Sequence, residues 1–430
     1  MITQVGIVGA GPAGLMLGHL LHRAGIDSVI VENRSQEYVI ERVRAGVLEQ
    51  GTVDLMHESG VGDRLAREGM RHEGIYIAFG GQRHRIDMAG LTGGRAITIY
   101  GQHEVVKDLI DARLATGRPL YFDVSHVAID GFEMAAHKGR PHSVPAHNER
   151  PHSVAVDKER PHSVAAHRER PHSGEAKIRF RHDGAAHEVT CDFIAGCDGS
   201  HGICRPSVPP AHLQLYEREY PFAWLGILAS AAPSSGELVY ALHDRGFALF
   251  SMRSMSVTRL YLQVAPDENI DDWSDDRIWS ELLARLRTED GWEPNVGPIL
   301  QKGITPMRSF VADPMRYDRL FLAGDAAHVV PPTGAKGLNL AMADVRRLAT
   351  AIESFYETDD EALLNEYSAR GLRRTWRAQR FSWWMTSMLH RHGKGNPFDH
   401  RRQLAELEYL VSSTAAMTSL AENYVGTPFD

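Results

Sequence analysis

The chain has 430 residues, 43% of them hydrophobic and 24% charged, which supplies one large core or two linked ones and excludes a disordered chain. Lys and Arg total 47 against 55 Asp and Glu, a formal charge of −8, so no basic excess exists to neutralise a phosphate backbone or an anionic lipid surface. No cationic stretch precedes the apolar run at Met1–Val8, and the apolar stretches break well short of the roughly 20 residues that a membrane span needs.

A soluble cytoplasmic protein with a small-molecule partner, and with neither nucleic acid nor membrane, is therefore expected. Cys191, Cys197 and Cys204 are too few and too close for a disulfide framework, and their spacing fits no zinc pattern. They read as ordinary core or loop thiols.

In chain order, Gln4–Val8 reads as a short buried strand, Gly9-Ala10-Gly11-Pro12-Ala13-Gly14 as a turn, and Leu15–Ala24 as a helix by its apolar spacing. Val29–Val31 is a second strand, closed by Glu32. Strands follow at Ile75–Phe79 and Ala96–Tyr100, with a helix at Glu104–Ala115. Tyr121–Ile129 and Lys177–Arg181 read as a hairpin. Between its arms Arg-Pro-His-Ser recurs from Arg140, Arg150, Arg160 and Arg170 with a period of ten residues. A proline in each unit and few large apolar residues predict an extended, mobile surface loop over 137–175. Its histidines, among them His142, His152, His162 and His172, are an alternative metal-binding tract, without visible supporting carboxylates. From Tyr220 to Val264 strand signals dominate, at Trp224–Leu228, Leu238–Tyr240, Phe247–Phe250 and the alternating Arg259–Val264, and predict a mostly antiparallel sheet. After a strand at Leu320–Leu322 the chain turns helical, over Leu338–Tyr356, Glu361–His390 and Arg401–Asn423.

Gly9-x-Gly11-x-x-Gly14 follows a strand, opens a helix and is answered by Glu32 at the end of the next strand. In that setting it is a dinucleotide site. Gly9 makes the tight turn, Gly11 admits a pyrophosphate, Gly14 lets helix and strand pack, and Glu32 accepts from a ribose hydroxyl. The motif alone does not separate FAD from NAD.

Two later segments do. Ala195-Gly196-Cys197-Asp198-Gly199-Ser200-His201-Gly202-Ile203-Cys204-Arg205 resembles the second fingerprint of the class A flavoprotein aromatic hydroxylases. Leu322-Ala323-Gly324-Asp325-Ala326-Ala327-His328, followed by Pro331 to Asn339, resembles their third. Within that class the whole chain outside the repeats is similar to the 4-hydroxybenzoate branch, on Arg42–Gln50, Tyr100–Gln102, Arg245–Leu249, Phe381–Ser387 and Glu422–Gly426. Gly202, where the wider class has Ser, is itself a mark of that branch.

The resemblance implies an α/β fold: a Rossmann-like, glutathione-reductase-type FAD-binding domain (1–72, 101–219, 318–350), an antiparallel-sheet substrate domain (73–100, 220–317) and a C-terminal helical interface region (351–430). It implies a homodimer. It implies hydroxylation of 4-hydroxybenzoate to 3,4-dihydroxybenzoate with O2 through a flavin C4a-hydroperoxide, after NADPH has reduced bound FAD. Substrate-binding residues are then Ser251, Arg253 and Tyr261 for the carboxylate and Tyr240, Tyr424, Pro332 and Thr333 around the phenol and ring, with His72 at the outer end of a proton relay. A guanidinium fork with two hydroxyls suits a planar carboxylate, and a phenol with a pKa near ~10 needs a proton route to react as its anion. The cofactor set is Gly9, Gly11, Gly14, Glu32, Arg42, Arg44, Gln102, Asp198, Arg259, Asp325, Lys336, Gly337, Leu338 and Asn339, of which Arg44, Gln102 and Arg259 hold or release a flavin that moves between inner and outer positions.

No second GxGxxG is present for the nicotinamide, which is expected to bind transiently at Arg34, Tyr38, His201, Arg205 and Arg308, with NADPH preferred and NADH tolerated. Two other readings stay open: hydroxylation of a 3-hydroxy- or aminobenzoate on the same fold, and a partner- or metal-binding protein whose repeat is the active part and whose flavin site is vestigial.

Overall fold

The computed structural model describes residues 1–41, 46–133, 176–391 and 396–429. The repeat tract and the expected sites at Arg42 and Arg44 lie outside these residues.

Short strands, mostly apolar, build a six-stranded sheet in the order Arg316–Tyr317, Leu320–Leu322, Phe193–Gly196, Val5–Val8, Ser28–Val31, Leu120–Tyr121. Its four central strands are buried along their whole length and pair in parallel, the pattern of a sheet covered on both faces. Helix Pro12–Arg23 packs between helices Gln102–Ala115 and Gly337–Thr358 against this sheet. The expected arm Tyr121–Ile129 divides: Leu120–Tyr121 joins the parallel sheet, and Ser125–Asp130 pairs antiparallel with Ala176–His182. Left-handed backbone at Asp123 and His126 makes the change of direction.

An eight-stranded sheet runs His328–Val329, Ile299–Asp313, Gln214–Ala229, Thr258–Val264, Gly246–Met252, Val239–His243, Ile75–Phe79, Gln82–Ile86. It is antiparallel except where Val239–Ala241 lies parallel to Tyr76–Ala78. Side chains alternate between its faces. Leu260, Leu262 and Val264 join the core around helix Asp275–Leu286, while Arg259 and Tyr261 point to the face covered by the C-terminal helices. The strand Ile299–Asp313 was not legible, because Gly303 and Pro306 punctuate it and its first half is exposed.

The C-terminal helices form at Gly337–Thr358 and Ala362–Leu389 as expected. The single helix expected over Arg401–Asn423 is two, Pro397–Ser412 and Thr414–Tyr424. Ser413 leaves the helical conformation and its hydroxyl accepts from Ala416 N at 3.3 Å, so a capping residue inside an apolar pattern starts a new helix. No helix among the described residues is long and apolar enough to cross a membrane.

Candidate functional site

The Gly-rich turn joins Val5–Val8 to helix Pro12–Arg23. Gly9 has φ +107°, and a Cβ there would lie 2.3 Å from the carbonyl oxygen of Cys197; one on Gly14 would lie 1.9 Å from the Gly9 carbonyl. Both positions require glycine. A Cβ on Gly11 would meet nothing within 4 Å, so the turn is open above the first helical N–H groups, which have no side-chain cap. Glu32 folds over the turn, its Oε2 accepting from Ala10 N at 2.8 Å and its Oε1 from Arg34 N at 2.9 Å.

The second and third fingerprints meet beside this turn. Asp198 is half-buried; its Oδ2 accepts from Cys204 N at 2.8 Å, and burial pushes its carboxyl above the ordinary value. A Cβ on residue 202 would stand 2.0 Å from Asp198 Cγ, which accounts for Gly202. Arg205 donates to Ser200 O at 2.7 Å and Ala326 O at 3.0 Å, tying the two fingerprints together, and it lies over the Phe310 ring. Arg308 Nη2 is 3.1 Å from His201 Nε2 and also covers Phe310, so these three expected nicotinamide residues are brought into one group. Arg34 stacks on exposed Tyr38 at 5.2 Å.

Asp325 sits half-buried in the turn Gly324–Ala326. A pair absent from the sequence reading holds that turn: buried Asp344 accepts from Gly324 N at 3.0 Å and lies 2.7 Å from His328 Nε2. Burial alone would lower the His328 pKa, and the Asp344 carboxylate overcomes it, so the imidazole is held above its ordinary value. Downstream, helix Gly337–Thr358 opens with no side-chain cap, and a Cβ on Gly337 would meet nothing within 4 Å. This second open helix start, formed by Gly337, Leu338 and Asn339, offers N–H groups to a ligand.

The side chains of Lys336 and Asn339 are committed inside the protein. Asn339 Oδ1 accepts from Glu49 N and Thr52 Oγ1, and its Nδ2 donates to Val47 O and Ala335 O, all at 2.8–3.0 Å. Lys336 Nζ donates to Glu49 Oε1 at 2.6 Å, to Tyr424 O at 3.1 Å and to Asn423 O. Gln102 begins its helix, half-buried, after Gly101.

On the covered face of the large sheet, cross-strand register groups the other expected residues. Tyr240 pairs with Leu249, Leu249 with Tyr261, and Ser251 with Arg259. Arg253 continues the same face into the hairpin, where its backbone N–H bonds Val257 O. The Nε and Nη1 of Arg253 and the Nε of Arg259 are buried with no partner. Burial lowers the Arg253 pKa. For Tyr261 burial works upward, but the guanidiniums of Arg259 and Arg253 prevail and bring it below its ordinary value. Gly226, which the sequence reading missed, leaves room for both: a Cβ there would lie 2.8 Å from Arg259 Nη2 and 3.3 Å from Tyr261 Cε1.

The hydroxyls of Tyr240 and Tyr424 are hydrogen-bonded to each other, both rings buried and set edge to face. Burial raises both pKa values, so both stay protonated O–H groups. Pro332 is exposed at the loop, and Thr333 beneath it has its hydroxyl 2.9 Å from that of Thr386.

His72 is buried, with Nε2 3.1 Å from Met252 Sδ and Nδ1 unpartnered. No hydrogen bond among the described residues joins it to Tyr240 or Tyr424. Burial pulls its pKa down to about 4, against an upward pull from Glu237. The unfolded chain then binds more protons than the folded one between about 6.5 and about 4, so the folded state loses up to ~3 kcal/mol as pH falls through that window. Substituting His72 by Asn is expected to flatten the acid limb of a denaturation-versus-pH curve between those values, and an unchanged limb would place the acid sensitivity elsewhere.

The FAD binding domain family matches residues 2–136 and 146–382. The p-hydroxybenzoate hydroxylase of Acinetobacter baylyi is 45% identical over 430 residues, covering 100% of this chain and 96% of that protein. Among solved structures, p-nitrophenol 4-monooxygenase from Pseudomonas putida superposes with a TM-score of 0.76 at 17% identity over 99% of this chain and 98% of that one. Aklavinone-11 hydroxylase, solved with FAD and aklavinone, gives 0.70 at 20% identity over 90% and 69%. The two structural likenesses carry the fold alone.

Proposed function

The chain belongs to the p-hydroxybenzoate hydroxylase family of FAD-dependent monooxygenases, and on that premise we propose that it converts 4-hydroxybenzoate to 3,4-dihydroxybenzoate with NADPH and O2. One observation carries the choice of substrate. The sheet face that presents two buried, unpartnered donors on Arg253 also presents the Tyr240–Tyr424 hydroxyl pair. That face is polar at both ends and lined between by Leu249 and Tyr261, which suits a flat ring with an anion at one end and a phenol at the other.

The carboxylate is taken by Arg253 with the hydroxyls of Ser251 and Tyr261, whose unpaired donors it satisfies. The proton leaving the phenol passes to Tyr240 Oη as Tyr240 gives its own to Tyr424 Oη and Tyr424 releases one toward solvent, with His72, neutral at working pH, proposed at the outer end of that route. Bound FAD, reduced by NADPH, would supply one oxygen atom of O2 to the ring carbon beside the phenolate, the other leaving as water. The open turns at Gly11 and Gly337 fit its pyrophosphate and ring system, with Glu32 and Asp325 for the hydroxyl-bearing parts; Asp198, Gln102, Arg259 and Arg44 are proposed to line it, Arg44 by resemblance alone. Arg34 with Tyr38, and His201 with Arg308 beside Arg205, are the proposed NADPH contacts.

Within this reading the FAD-binding part is 1–72, 101–219 and 318–350, and the substrate sheet 73–100 and 220–317. We also place the protein in the cytoplasm as a homodimer. Exposed Tyr216, Trp376 and Trp383, which line a groove of about 330 Å³ between the long strands and helix Ala362–Leu389, are the proposed dimer face.

The test is NADPH oxidation by the purified yellow protein with and without 4-hydroxybenzoate, with chromatographic identification of the product. Strong stimulation with one 3,4-dihydroxybenzoate per NADPH is expected. Stimulation yielding only peroxide would transfer the assignment to another aromatic acid, and no stimulation would remove it.

A further inference from the structure

Tyr424 ends its helix, and the chain continues without regular secondary structure over Val425–Phe429, beside Glu49–Gly51. Little of that segment's own chemistry explains its course, since it is short and lacks secondary structure. Its fixing comes from elsewhere. Arg374, on helix Ala362–Leu389, uses both terminal nitrogens on it: Nη1 donates to Thr427 Oγ1 at 3.1 Å and Pro428 O at 3.0 Å, and Nη2 donates to Thr427 O at 3.1 Å and Glu49 Oε2 at 3.4 Å. The guanidinium also lies 4.9 Å from the centre of the Phe429 ring, whose edge packs on Gly51. Arg95 donates to Gly426 O, and Gln50 N to Val425 O at 3.2 Å.

The second side of this arrangement reaches the Tyr424 backbone. Glu49, which receives Arg374 on one oxygen, receives Lys336 on the other, and Lys336 in turn donates to the Tyr424 and Asn423 carbonyls. Gly426 has φ +82°, and a Cβ on it would lie 2.0 Å from Glu49 Oε2, so the segment closes tightly over the buried carboxylate. The Tyr424 backbone is thus held from both directions, while its hydroxyl meets Tyr240. A change in where Val425–Phe429 sits is transmitted to the Tyr424 ring, because Glu49 and Lys336 join that segment to the Asn423 and Tyr424 carbonyls at the end of helix Thr414–Tyr424.

We propose that Arg374, with Phe429 stacked on it, is a positioning residue that latches Val425–Phe429 over Glu49 and so sets the Tyr424 hydroxyl where it can receive the proton that Tyr240 passes on as Tyr240 takes that of the bound phenol. The latch rests on the reading of Tyr240 and Tyr424 as the phenol site. Arginine is suited to it because one planar fork serves four acceptors and an aromatic face at once, which a lysine point charge cannot.

The experiment uses the FAD-loaded full chain and reads the ionisation of bound 4-hydroxybenzoate from its ultraviolet difference spectrum as pH is varied. Arg374→Met and Phe429→Ala are compared with wild type, with Arg374→Lys as the conservative variant. For the Met and Ala variants the apparent pKa of the bound phenol is expected to rise by about one unit, a tenfold loss of phenolate. Binding of benzoate, which has the carboxylate and no phenol, and the FAD content should stay at wild-type values. Lys is expected to behave like Met, since charge alone does not restore the fork. An unshifted phenol titration in both variants, full rescue by Lys, or parallel loss of FAD and benzoate binding each overturns the latch. Absence of any phenolate signal in the wild-type protein would instead overturn the substrate reading on which it rests.

Discussion

Replacing Arg253 by Met is expected to weaken 4-hydroxybenzoate binding by about a hundredfold or more while raising the thermal stability of the ligand-free protein. Both effects come from the same two nitrogens. Nε and Nη1 are buried without a partner, and an unpaired buried donor on a charged group costs more than a neutral one. Met keeps most of the side chain's volume and removes that cost, so the melting temperature rises. With substrate present the balance reverses. The carboxylate would then be desolvated with only the Ser251 and Tyr261 hydroxyls beside it, and loss of one partner of a buried charge pair costs about 2–5 kcal/mol. Titration of the flavin spectrum with 4-hydroxybenzoate measures the first effect and a ligand-free melt the second. A loss of affinity below tenfold would show that Arg259 and the hydroxyls suffice, and that Arg253 is not the carboxylate receptor.

Removing Asp344 is expected to have the largest effect on stability. Its carboxylate is almost wholly buried, and it is the acceptor for Gly324 N–H and the partner of His328. Asp344→Ala leaves both groups buried and unanswered, at a cost of about 3–5 kcal/mol, and loosens the turn that presents Asp325. Release of FAD on gel filtration and a lower melting temperature are the readouts. The pH dependence has a definite sign. His328 is held above its ordinary value in the folded state, so the stability it contributes is complete below the unfolded pKa and is lost as pH rises through the folded one. The variant loses that contribution, so its deficit should be greatest on the acid side. A deficit independent of pH would mean that the Gly324 contact, and not the ion pair, accounts for the cost.

What could be read from the sequence follows from how locally each feature is written. Gly9, Gly14 and Glu32 belong to one strand-turn-helix-strand unit, and their spacing states the geometry that Cβ placement at Gly9 and Gly14 demands. The alternation Arg259, Tyr261, Gln263 against Leu260, Leu262, Val264 likewise announces two faces before any neighbour is known. Asp344 and Arg374 gave no such signal. Each lies in a helix whose pattern is satisfied without it, and each acquires its role from a partner remote in the chain, Gly324 and His328 for one, Glu49 and Thr427 for the other. The resemblance named Lys336 and Asn339 as flavin neighbours, while their side chains are spent on Glu49, Val47 and the Tyr424 carbonyl. Residue identity at a motif position does not say which way the side chain turns. The break at Ser413 was hidden because apolar periodicity on both sides of a cap continues as if the cap were not there.

The order of strands in the parallel sheet has a consequence for how the protein comes into being. Val5–Val8 is flanked by Ser28–Val31 on one side and Phe193–Gly196 on the other, and Leu320–Leu322 lies beyond. On the ribosome the first strand emerges early and stands with one edge unpaired until Phe193–Gly196, nearly half the chain later, has been made. The hydroxyl pair closes later still, since Tyr424 must find a partner 184 residues earlier. Synthesis therefore passes through a long period in which an apolar strand edge is open. Slower elongation, or a chaperone engaged during translation, is expected to improve the yield of active enzyme more than any change to the finished fold.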